Sequence, residues 1–147
     1  MRLPLACLAV LFLAAPAGAQ EMPPLAEWID SAEARQRPDY TYTRCAGLFL
    51  SLAKFDRGSF LPDDLTHMRN AYTDLAEAAL AFRAQRDGRA PKDYLDGVEG
   101  EIGDFVDAYG QRIEKSRDAG KRALDGDPAM AQDFAICRST AEALKAT

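Results

Sequence analysis

The stretch Thr41–Phe55, TYTRCAGLFLSLAKF, decides the fold. Tyr42, Cys45, Leu48, Phe49 and Leu52 recur at steps of three and four, the period of one helix face and not of a strand. Cysteine is the one reactive group in that apolar stripe. Its role depends on what the rest of the chain offers as a partner.

The chain begins MRLPLACLAVLFLAAPAGAQ: a cation at Arg2, an apolar run from Leu3 to Ala15, Pro16, then Ala17-Gly18-Ala19. That order matches an export signal with cleavage expected after Ala19, so residues 1–19 are read as a leader and 20–147 as a single helical domain. The apolar run is shorter than the roughly 20 residues a bilayer-spanning helix needs. No membrane insertion is expected after cleavage. Cys7 makes a poor lipobox, because Pro4 stands where a branched apolar residue belongs and most of the apolar run follows the cysteine.

Loss of the leader turns three cysteines into two, Cys45 and Cys137. An even count in an exported chain is read as a disulfide. Cys137 lies on a second helical stripe, Met130, Phe134, Cys137, Ala141 and Leu144, so both thiols point to the core. A redox-active thiol instead favours Cys-x-x-Cys or a helix start, and neither cysteine has that setting. The adjacent Arg44 and Arg138 are expected to point off the core.

Outward from this pair, every apolar segment has helical period. The first long helix is expected over about Asp39–Lys54, ending near Gly58. A second opens at Pro62, with Asp63 and Asp64 at the positive end of its dipole, and stops at Gly88. A third runs from Pro91 to about Leu124 with Leu95, Val98, Ile102, Phe105, Val106, Tyr109 and Ile113 inward. The last starts with Asp127 as N-cap and Pro128 in its first turn. Before them PPLAEWIDSAEARQRPD (23–39) forms a short helix whose Trp28 caps the bundle. The expected fold is all-α: an antiparallel four-helix bundle with a short extra N-terminal helix and one interhelical disulfide.

Composition, 48% hydrophobic and 28% charged, belongs to a globular domain. A net charge of -5, without a basic block, argues against nucleic acid as a partner. His67 is the only histidine, which removes most hydrolase and multi-histidine metal sites. Asp63, Asp64 and His67 share one helix start and are the weak metal candidates, but two ligands on a face do not make a site. No Cys-x-x-Cys-His motif is present for covalent haem, and axial ligation by His67 with Met22 or Met130 has no support in the spacing. Neither a cofactor nor a catalytic residue is assigned. The serines lack a strand-turn-helix elbow, and Glu99, Glu101, Asp104 and Asp107 read as a solvated face.

DGVEGEIGDFVDAYG (96–110) breaks the local rule, since each glycine in a helix interior costs about 1 kcal/mol relative to alanine. Gly100, Gly103, Asp107 and Gly110 fall on one side. Close approach of a neighbouring helix, or a kink, is the favoured explanation; a groove for a partner is the alternative. Trp28, Tyr40 and Tyr42 form a second aromatic surface that serves equally as the end cap of the core. The expected function is protein binding by an exported, periplasmic or secreted accessory protein of bacterial type. Its alternative is a carrier of a small ligand or metal, using the bundle interior or the Asp63, Asp64 and His67 cluster.

Overall fold

A computed structural model describes residues 22–146, and all the expectations for the leader lie outside these residues. The described chain is all-α, with no strand among the described residues. Its helices are α1 (Leu25–Ile29), α2 (Pro38–Phe55), α3 (Pro62–Asp87), α4 (Leu95–Asp118), α5 (Ala123–Gly126) and α6 (Pro128–Lys145), with 3-10 turns at Arg57–Ser59 and Pro91–Tyr94.

The ends follow local chemistry. Pro38, Pro62 and Pro128 each sit in a first turn, where the missing N–H costs nothing. The Asp127 carboxylate accepts the Met130 N–H at 2.9 Å, as an N-cap should. Gly88 closes α3 in the left-handed conformation. The third helix differs from expectation at both ends: Pro91–Tyr94 is a 3-10 turn, so α4 starts at Leu95, and α4 stops at Asp118, not near Leu124. Gly120 adopts φ +70°, a conformation that costs other residues and ends the helix, and the short α5 follows.

Helix α2 is central. Helix α3 runs antiparallel to it, so that Arg83 near the end of α3 meets Asp39 at the start of α2. Helix α4 then runs parallel to α2: Gly47 lies against Phe105, the Ser51 hydroxyl donates to the Val106 carbonyl at 3.0 Å, and Phe55 covers Gly110. A Cβ on Gly47 would fall 2.5 Å from Phe105 Cβ and 3.2 Å from the Ile102 carbonyl oxygen, so the approach of α4 to α2 requires glycine there. Helix α6 meets α2 around Cys45 and Phe49, through the Cys45–Cys137 disulfide and the edge-on Phe49 and Phe134 rings, 5.8 Å apart.

The core gathers Leu48, Leu52, Leu75, Val98, Ile113 and Met130, all buried. Leu25 of α1 joins it, and Trp28 stacks on Tyr40 at 4.0 Å, which in turn meets Phe105 edge-on at 5.3 Å. These rings close one end of the molecule, while Leu95, expected inside, is exposed.

Candidate functional site

The two sulfurs are joined, with Cα atoms 5.1 Å apart and both cysteines fully buried. Arg44 does not point off the core as expected; it is completely buried. Residues 43–49 have no outward face, because α3, α4 and α6 surround α2 there. Arg138, by contrast, is exposed.

The buried guanidinium is met by a carboxylate that sequence reading missed. Arg44 Nη2 donates to Asp133 Oδ2 at 2.8 Å, and Arg44 Nε donates to the Tyr109 hydroxyl at 3.0 Å. Tyr109 donates in turn to Asp133 Oδ2 at 2.7 Å, and Asp133 Oδ1 accepts the Leu25 N–H at 2.8 Å. Four helices converge on this knot. Burial alone would lower the Arg44 pKa, but Tyr109 and Asp133 outweigh it and hold it above the ordinary guanidinium value. Burial pushes the Tyr109 phenol well above its ordinary value; Arg44 opposes that shift and Asp133 adds to it. A signal for Asp133 existed: it lies one helical turn before Cys137, on the same face.

Two further networks use the remaining central charges. Arg83 joins Asp39 (2.7 Å) and Glu101, and Arg37 reaches the same carboxylates at 3.3 and 3.4 Å. Burial would lower the Arg83 pKa, and hydrogen bonds to Glu101 and Asp39 raise it instead. Arg112 holds Asp127 through paired bonds of 2.6 and 2.7 Å. Burial would raise the Asp127 pKa, yet the Arg112 bonds and the Met130 N–H hold it below the usual carboxylate range. These groups tie helices together, and their hydrogen-bonding capacity is largely spent on one another.

The glycine side of α4 divides in two. Gly110 packs under Phe55, whose ring lies 3.0 Å from where a Cβ would stand, so close approach explains it. At Gly100 and Gly103 a Cβ would meet nothing within 4 Å among the described residues, and Asp107 is exposed beside them. The expected packing of a neighbouring helix is therefore absent at those two positions, and α4 has no break between Leu95 and Asp118.

No family model, curated protein or solved structure matches the chain. What the sites can do must come from their own geometry.

The metal candidates separate. Asp64 and His67 line a cleft between α3 and α6, whereas Asp63 is not among its lining residues. Among the described residues no group of three or more His, Cys, Asp or Glu side chains is placed to hold a metal ion. The Asp64 carboxylate accepts the Leu61 N–H at 3.2 Å and so serves the start of α3. Tyr42 lines a shallow recess with Ile136 and Thr140 on the outside of α2 and α6, apart from the Trp28–Tyr40 end cap.

Proposed function

We propose that this is an exported accessory protein, periplasmic or secreted, that works by binding another protein on the outer face of α4. Export is supported by the signal-like leader together with a buried disulfide, which belongs to oxidising compartments. No helix among the described residues is long and apolar enough to cross a membrane.

The observation that carries the binding reading is the pair Gly100 and Gly103. Each weakens α4 by about 1 kcal/mol relative to alanine, and neither is packed against another residue among those described. A bare backbone at two positions one turn apart admits a partner's close approach. Asp96, Glu99, Asp104 and Asp107 are exposed around them, so the partner surface is expected to be basic.

The test is capture of partners from the exported fraction of the source cells by the mature protein, followed by Gly103→Leu. Because no described residue lies within 4 Å of the added Cβ, the variant should fold as the wild type does. It should lose a partner that the wild type retains. Unchanged capture by the folded variant removes the α4 face as the site. N-terminal sequencing of the exported protein checks the leader, with Gln20 expected first.

A further inference from the structure

The turn from α2 into α3, apart from the α4 face, carries charge that nothing in the described chain answers. With 23 acidic residues for 18 lysines and arginines the protein has no shortage of carboxylates, and most of its described arginines are ion-paired. Arg35, Arg57, Arg69 and Arg122 are the exceptions among the described residues, and the last three gather at this turn. Arg57 and Arg69 border one recess of about 540 Å³, within the range of about 300–1,000 Å³ usual for small-molecule sites. Arg122 Nη2 donates to the Ser59 carbonyl between them in the chain, at 2.5 Å.

Among the described residues no carboxylate lines this recess. Asp56, next to Arg57 in sequence, has both oxygens engaged: Oδ1 accepts the Ser59 hydroxyl at 2.8 Å and Oδ2 the Ala123 N–H at 3.2 Å. Asp64 accepts the Leu61 N–H and lines the α3–α6 cleft instead, and Asp63 is exposed outside the recess lining. The residues three and four away from Arg69 on α3 are Leu65, Thr66, Tyr72 and Thr73, none of them acidic. The recess therefore presents one sign of charge. Its floor is apolar, from Phe60, Pro62 and Leu65.

We propose that this recess binds a small phosphate monoester, its phosphate between Arg57 and Arg69 and its organic part on Phe60 and Pro62. Above its second pKa of about 6 such a group carries close to two negative charges, enough to pair with both arginines. Each guanidinium presents paired donors that match phosphate oxygens, so the pairing orients the ligand as well as neutralising it. Arg122, held by the Ser59 carbonyl, adds a third positive charge beside the site.

Titration of the disulfide-intact protein at pH 8 with phenyl phosphate, benzenesulfonate and benzyl alcohol compares ligands of two charges, one and none. Amide chemical shifts at Gly58, Phe60 and Thr66 report binding. Phenyl phosphate should bind about tenfold more tightly than benzenesulfonate, the size of one charge-assisted hydrogen bond. Arg57→Gln with Arg69→Gln, two exposed positions, should remove that preference and leave the alcohol's affinity unchanged. Thr66→Glu, which sets a carboxylate one turn from Arg69, should do the same. Arg117→Gln with Arg138→Gln, exposed arginines on α4 and α6, should change nothing. Equal affinities, tighter binding of the sulfonate or alcohol, a preference that survives loss of Arg57 and Arg69 or disappears in the Arg117 and Arg138 control, or no shifts at millimolar ligand would each overturn the assignment. Sedimentation with phosphatidylglycerol vesicles distinguishes a lipid headgroup as the source of phosphate: vesicle binding that needs Arg57 and Arg69, without binding of phenyl phosphate, would also overturn it.

Discussion

Asp133→Asn is expected to be among the most damaging conservative substitutions in this protein. The side chains of Asp133 and Arg44 are both 0% exposed, and the carboxylate accepts from Arg44, Tyr109 and the Leu25 N–H at 2.7–2.8 Å. Asparagine has nearly the same shape and retains an acceptor, so no cavity forms. What disappears is the counter-charge of a guanidinium that stays protonated, together with one of the two acceptor oxygens, which becomes an NH2 donor. Stranding a buried charge costs about 3–5 kcal/mol, against a total stability of about 5–15 kcal/mol for a domain. Urea unfolding by circular dichroism, with the disulfide intact, measures the loss. Arg44→Met combined with Asp133→Asn removes both charges while keeping a partner for Tyr109 and Leu25. It should recover half or more of the single variant's loss, because Arg44 Nη1 has no hydrogen-bond partner among the described residues and the native pair is itself costly to bury. A loss below about 1 kcal/mol for Asp133→Asn, or a double variant as unstable as the two single losses added, would refute this reasoning.

Removing the disulfide with Cys45→Ala and Cys137→Ala should cost up to about 4–5 kcal/mol, the loop entropy for a separation of 92 residues, read from the urea midpoint. Without reductant, alkylation and mass spectrometry of the native protein should find neither thiol modified. The glycines give a contrast of sign: Gly47→Ala should lose about 1–3 kcal/mol through the clash with Phe105, whereas Gly103→Ala should gain about 1 kcal/mol in thermal unfolding. Asp127 has a folded pKa below its unfolded value, so its contribution is complete above the unfolded pKa, near 4, and is lost as the pH falls through the lower folded value. In Asp127→Asn, which retains the cap, stability should decline less on acidification from pH 5 to pH 2 than in the wild type.

Most of the helix ends and the staple were legible because their causes are local. Pro62, Pro128 and the Asp127 cap act within one turn, and helical phase alone placed Cys45 and Cys137 on facing stripes. Gly120 was missed because a glycine in a helical pattern can be tolerated or can adopt positive φ. The pattern itself does not distinguish the two. For the α4 glycines helical phase set one face and left two explanations, and the structure divided them by position: Phe55 covers Gly110 and leaves Gly103 bare.

Periodicity and local turn chemistry were enough to specify an all-α chain, its main helices and the two cysteines that face inward. Tertiary structure decided that Arg44 is a core residue, that Gly47 lets α4 approach α2, and that Asp64 and His67 border an aromatic cleft instead of sharing a site with Asp63. Periodicity records the direction in which a side chain leaves its own helix. How many other helices stand in that direction is a property of their packing: α2, enclosed by three of them around residues 43–49, buries even the Arg44 guanidinium.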